Sequence, residues 1–188
     1  MERFVGTSVD AYRDYPLFEY AFGKEVDERT MTRMMSVDLR SRKGMMVGLY
    51  CGDDFESIVV MEAPKARKVG PLQFIKTVKL SELDLLFKPA VIRQGKYEKF
   101  AIKNREPYID ENTWYFYIFA TKKKCQGMGY GKKLLSFLLS FADSRGCKIC
   151  LETDLSKNVS LYEHFGFTLM DKSLYKGSIE HYVMRYGG

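Results

Sequence analysis

Proline is scarce in this chain, 5 of 188 residues, and no stretch is compositionally biased. With 46% hydrophobic residues the chain can bury a real core, so disorder is not expected. Long apolar runs are missing too. None approaches the length of a membrane span, roughly 18 residues, so no membrane partner is expected. The start, MERFVGTSVDAYRDYP, lacks the apolar stretch of a signal peptide, and a cytoplasmic, soluble chain is the expectation. Cysteine is sparse: Cys51, Cys125, Cys147 and Cys150 fall short of a disulfide scaffold. Cys147 and Cys150 form a C-x-x-C, but in GCKICLET, a strand-like run where residues three apart face opposite sides. The two histidines offer no matching second pair, so buried free thiols and no metal are expected.

What is present is a moderate positive charge, +6, and 14% aromatic residues. The lysines and arginines are scattered, and the aromatics sit inside apolar runs as core residues do. Nucleic-acid binding is therefore not expected, whereas a polyphosphate ligand fits the charge.

Length fits one domain, residues 1–188. Residues 8–22 predict a short helix or two half-helices broken by Pro16. Residues 27–40 predict a helix capped by Asp27, with Met31, Met34, Met35 and Val37 on one face. Residues 45–61 read as a hairpin turning at Gly52-Asp53-Asp54, and Pro64 ends its second strand. Between 65 and 110 a helical period stops near Pro89, with Ser81 and Asp84 as a capping signal. KYEKFAIKNREPYIDEN reads as charged surface. WYFYIFAT then predicts a strand buried on both faces. A helix with Leu134, Leu135, Phe137, Leu138, Leu139, Phe141 and Ala142 as its apolar positions ends at Arg145-Gly146. CKICLET predicts a second buried strand, parallel to the first by a right-handed crossover. A short helix, NVSLYEHFG, and two antiparallel strands close the chain.

The organising stretch is the loop QGMGYG, Gln126 to Gly131, between strand and helix. No Ser, Thr, Asp or Asn stands at the expected N-cap near Gln126–Met128, so the first helical amides are not closed by a side chain. Lys132 and Lys133 in the first turn oppose the macrodipole, which an anion would offset. An ordinary tight loop with solvated amides is the plain alternative. Two nucleotide loops fail on spacing. A Walker loop would need glycine where Gln126 stands and Ser or Thr where Lys133 stands. A dinucleotide fingerprint would need a third glycine where Lys132 or Leu134 stands.

What remains, Gln-x-x-Gly-x-Gly over Gln126, Gly129 and Gly131, resembles the acetyl-CoA loop of the GCN5-related N-acetyltransferases (GNAT). Asn158 and Tyr162 resemble that family's second signature, in which an Asn and a Tyr four residues on flank the coenzyme thiol. The likeness covers residues 113–186. WYFYIFA, LETDLSKNVSLYEHFGF and AYRDYPLF look like the puromycin-acetyltransferase-like branch. That branch commonly has His where Thr113 stands and Pro where Lys123 stands.

The resemblance implies an α/β GNAT fold: a central mixed, mostly antiparallel twisted sheet flanked by helices, with a parallel strand pair splayed at the coenzyme site. It implies residues 1–110 as the acceptor-side half and 111–188 as the half that binds acetyl-CoA. Backbone groups of Phe119, Ala120 and Thr121 are expected to meet the pantetheine arm, and Gln126, Gly127, Met128, Gly129, Tyr130, Gly131 and Lys132 the phosphates. Asn158 and Tyr162 complete the coenzyme site. Tyr162 is the candidate acid for the leaving thiolate; a core tyrosine beside Phe165 and Phe167 is the alternative. Glu62 and Glu152 are possible bases, and His164 and His181 read as structural. Lys122, Lys123, Lys124, Lys132 and Lys133 form either a solvated face or phosphate contacts. The implied activity is acetyl transfer from acetyl-CoA to a small-molecule primary amine, by a monomer or homodimer. Acetylation of a protein Lys or N-terminus, or a non-catalytic coenzyme sensor, are the alternatives.

Overall fold

The computed structural model describes residues 1–23, 27–42, 46–64 and 71–187. Residue 45 of the expected hairpin and residues 65–70 lie outside them. Among the described residues six strands form one sheet in the order β1-β2-β3-β4-β6-β5. They are β1 Met46–Cys51, β2 Ser57–Glu62, β3 Thr113–Thr121, β4 Lys148–Thr153, β5 Thr168–Tyr175 and β6 Ile179–Tyr186. Only β3 and β4 pair in parallel. The helices are α1 Glu2–Tyr12, α2 Pro16–Phe22, α3 Glu28–Ser41, α4 Pro71–Thr77, α5 Pro89–Arg105, α6 Tyr130–Arg145 and α7 Ser156–His164.

The period-2 alternation of β2 divides the core. Val59 and Met61 pack with Leu134, Leu135, Leu138 and Tyr162, while Ile58 and Val60 pack with Val5, Val9, Phe18 and the methionines of α3. One face of the sheet thus carries α6 and α7, the other α1 to α3. The methionine stripe is core, as expected. Asp27 caps α3 by accepting the Thr30 amide at 3.3 Å. Cys147 and Cys150 are buried free thiols in separate core clusters, on opposite faces as their spacing requires.

One expectation between residues 65 and 110 holds in part, and three need correction. The helical segment Leu80–Phe87 does stop before Pro89, but Pro89 also begins α5, because its fixed φ suits the first helical turn. The segment read as charged surface is largely α5, and it buries Tyr97, Ala101 and Arg105, one residue per turn at spacing four. Ser81 and Asp84 do not cap: both hold Arg33 of α3, by the Ser81 carbonyl at 2.6 Å and the Asp84 carboxylate at 3.0 Å. Phe137, counted with the apolar face of α6, is 61% exposed.

Two irregularities place the site. The parallel ladder runs only from Thr113 opposite Lys148 to Phe116 opposite Leu151. Beyond it β3 continues to Thr121 and β4 to Thr153, so a gap opens between their ends. The β2–β3 register skips Tyr117, since Val60 faces Ile118 and Met61 faces Phe116. That bulge lies where the two strands part.

Candidate active site

The N-terminus of α6 stands at the end of β3. Its N-cap is Gly129, at φ +86°, with no capping side chain. The first intrahelical bond is the Lys133 amide to the Gly129 carbonyl at 2.9 Å, which leaves the amides of Tyr130, Gly131 and Lys132 without an intrahelical acceptor. Gly127, at φ +80°, is exposed in the same loop. Gly131 serves packing: a Cβ there would lie 3.0 Å from Thr121 Oγ1, so a side chain would require Thr121 or the start of α6 to shift by a few tenths of an ångström.

A cleft of about 570 Å³ lies against this helix start. Of the expected residues it brings together Phe119, Ala120, Thr121, Gln126, Gly127, Gly129, Gly131, Lys132, Asn158 and Tyr162. Met128, 65% exposed, and Tyr130 do not line it. The Ala120 carbonyl accepts Ser57 Oγ at 3.2 Å, on the β2 side. The Thr121 carbonyl accepts Gln126 Nε2 at 3.3 Å. Both backbone groups of Phe119 are taken by Tyr12, whose hydroxyl accepts from its amide and donates to its carbonyl. Lys122 is tied to Asp54 and Lys123 to Asp14, so these two are engaged with acids.

Tyr162 packs against Phe167, and its hydroxyl is pushed above the ordinary phenol range by burial and by nearby Tyr12. Asn158 Nδ2 donates to Thr153 Oγ1 at 3.0 Å, and the same oxygen lies 3.1 Å from the Tyr15 hydroxyl. Tyr15 also accepts the Asp154 amide at 2.6 Å. A narrow cavity of about 50 Å³ fills the gap between β3 and β4, walled by Tyr12, Tyr15, Phe119, Glu152, Asn158 and Tyr162.

Across the sheet lies a pocket of about 130 Å³. Asp38, Glu98, Glu152, Asp154 and His181 line it with five tyrosines, Tyr12, Tyr15, Tyr97, Tyr115 and Tyr117. Behind this wall, Arg42 is paired to Asp38 and Glu62 and sits 4.0 Å from the Tyr117 ring centroid. Arg105 bonds Glu98 at 3.0 Å and Glu152 at 3.1 Å, and sits 4.3 Å from the Tyr115 ring centroid. Glu152 also accepts the Tyr115 hydroxyl at 2.6 Å. Burial raises its carboxyl, but Arg105 and His181 outweigh that and hold it below the ordinary range. Burial lowers the His181 imidazole, yet Asp154 and Glu152 raise it to about 9, so it is a cation at neutral pH. Of the two acids considered as bases, Glu62 is bound to Arg42 while Glu152 reaches the gap. His164 is exposed on the cleft rim, edge-on to Phe165 at 5.5 Å.

Tyr97 and Glu98 of α5 line this pocket and Arg105 stands behind them, and none of the three was expected from the sequence. Their signal was the spacing of Tyr97, Ala101 and Arg105, hidden among lysines.

Sheet order, the splayed parallel pair and the uncapped helix start define the GNAT fold. Residues 97–167 match the model of the acetyltransferase (GNAT) family. An uncharacterized N-acetyltransferase of Schizosaccharomyces pombe is 36% identical over 66 residues, which is 35% of this chain and 26% of that protein. The match therefore spans about a quarter of that relative's length. Among solved structures, histone acetyltransferase HPA2 and related acetyltransferase from Corynebacterium glutamicum superposes with a TM-score of 0.62 at 15% identity, over 97% of this chain and 88% of that one. The ribosomal-protein-S18-alanine N-acetyltransferase from Escherichia coli gives 0.53 at 12%, over 98% and 85%. Among the described residues no helix is long and apolar enough to cross a membrane, and no group of three or more His, Cys, Asp or Glu is placed to hold a metal.

Proposed function

We propose that the chain is an acetyl-CoA-dependent N-acetyltransferase acting on a primary amine of a small molecule. The observation that carries this reading is continuity. The glycine-loop cleft, the β3–β4 gap and the acidic pocket share walls, with Tyr12 and Tyr15 lining all three. Such a passage lets two reactants meet from opposite faces of the sheet. An acceptor pocket of about 130 Å³ favours a small amine over a protein segment.

The cleft fits a pyrophosphate on two grounds: amides without intrahelical acceptors at the start of α6, and exposed glycines with positive φ beside them. The amides of Tyr130, Gly131 and Lys132 would bind the phosphates, with Gln126, Gly127 and Gly129 shaping the loop and Met128 outside the cleft. The edge of β3 at Phe119–Thr121 would hold the pantetheine arm as an added strand, and Ala120 would contribute its methyl group. Asn158 and Tyr162 would flank the thiol. Acetyl-CoA supplies an activated thioester.

Tyr162 keeps its phenolic proton at neutral pH and gives it to the sulfur as the carbon–sulfur bond breaks. Glu152, ionised and open to the gap, takes the proton that the ammonium must lose before its nitrogen attacks. The carbon–nitrogen bond forms as the carbon–sulfur bond breaks, and the nitrogen's second proton passes to the Tyr162 phenolate, which restores the phenol. The test is thiol release from acetyl-CoA across a panel of amines. Amine-dependent release is expected; none with any amine would remove the catalytic reading.

A further inference from the structure

We infer that the acceptor is a small diamine, its reacting nitrogen at the Glu152 and Asp154 end of the acidic pocket and its second ammonium against Asp38 and Glu98. The assignment of the reacting end rests on the acetyl-transfer reading; the double charge does not.

Asp38, Glu98, Glu152 and Asp154 face the cavity, and among the described residues His181 is the one cationic side chain in its walls, with neither Lys nor Arg lining it. The guanidinium groups stand behind. Among the described residues five carboxylates, Asp38, Glu62, Glu98, Glu152 and Asp154, share three cations, Arg42, Arg105 and protonated His181. Within that set two negative charges are left over. Partly buried charge is best offset by pairing, so this excess favours a ligand that brings two positive charges. A monoamine would offset half of it, and a carboxylate-bearing amine none.

One further polar atom fits such a ligand. Gln94 Oε1, on a residue of the same wall, is buried without a hydrogen bond among the described residues. It is an acceptor, the complement of an ammonium N–H group. His181, 1% exposed, is held by Glu152, its Nε2 standing 3.4 Å from Glu152 Oε1 as an ion pair. The tyrosine rings add faces that attract a cation. Glu152 lines both the pocket and the β3–β4 gap, whereas Asp38 and Glu98 line the pocket alone. One nitrogen is therefore held at the gap and the other away from it. Acetylation removes the positive charge at the gap, so the product matches the pocket less well than the substrate and leaves.

The test compares 1,4-diaminobutane, butylamine and 4-aminobutanoate by two readouts: calorimetric binding without coenzyme, and thiol release with acetyl-CoA. The diamine should bind at least tenfold more tightly than butylamine, with 4-aminobutanoate weakest, and kcat/KM should follow that order. Glu98→Gln and Asp38→Asn should each narrow the diamine-to-monoamine ratio severalfold. Equal binding of diamine and monoamine, or a ratio unchanged in both variants, overturns the inference. Should both variants fail to fold, the ranking of the three amines by the unaltered protein still decides. Tight diamine binding with no thiol release from any amine leaves the dication site standing and removes the acetyl-transfer reading. Release that is faster with butylamine does the reverse.

Discussion

The Tyr12 hydroxyl lies 3.0 Å from the carbonyl oxygen of Phe119 and 3.2 Å from its amide nitrogen. One phenol on α1 therefore satisfies both backbone groups at a strand edge that faces the cleft. An extended arm pairing with β3 there must first displace it. Tyr12→Phe is expected to raise coenzyme affinity severalfold, since each released bond contributes about 0.5–1.5 kcal/mol net. The free protein should lose about 1 kcal/mol of stability for the same reason. Titration calorimetry checks the first effect and urea unfolding the second. Weaker coenzyme binding would instead make Tyr12 part of the site.

Tyr162 has a role that packing alone does not require. It fills the core beside Phe167, and phenylalanine would fill it equally. If its proton goes to the thiolate, Tyr162→Phe lowers kcat by about 10²–10³-fold with the dissociation constant for acetyl-CoA unchanged within about twofold. A variant with normal turnover returns Tyr162 to the core.

The two glycines of the loop should fail in different ways. At Gly129, φ +86°, alanine costs about 1–2 kcal/mol of left-handed strain and distorts the loop. At Gly131, alanine meets Thr121 Oγ1 at 3.0 Å and pushes the helix start away from β3. Both should weaken coenzyme binding at least tenfold. Circular dichroism would show the fold retained in each, and an unchanged affinity in both would remove the loop from the site.

The contrast between these residues and the acidic pocket shows what the sequence could carry. Strand, loop and helix from Thr113 to Arg145 were legible because apolar period, glycine spacing and a missing cap are local. Asp27 as a cap was legible for the same reason. Arg105 was not. An arginine is buried only when partners wait for it, and Glu98 and Glu152 come from α5 itself and from β4, 47 residues on. Nor does any local signal say that β6 inserts between β4 and β5, which brings His181 beside Glu152 and Asp154. Phe137 misled in the opposite direction: its periodicity fits the apolar face, but α6 turns it to solvent.

His181 gives a pH signature. Its folded value, about 9, lies above that of an ordinary imidazole, about 6.5. The stabilisation from its carboxylate partners is thus complete below about pH 6.5, declines as pH rises and is lost once pH passes about 9. A carbon-detected NMR titration of the imidazole should show its midpoint near pH 9, and unfolding free energy should fall across the same window. His181→Gln should flatten that fall. A midpoint near 6.5 would mean that the carboxylates do not hold the proton.

The most direct test of the coenzyme site is thermal unfolding with and without acetyl-CoA. At a coenzyme concentration 100 times the dissociation constant, linkage predicts about 2.7 kcal/mol of added stability. For a chain of this length that is a rise in Tm of roughly 5–10 °C, and it should be largely lost in Gly129→Ala. An unchanged Tm at millimolar acetyl-CoA would contradict the account at its centre.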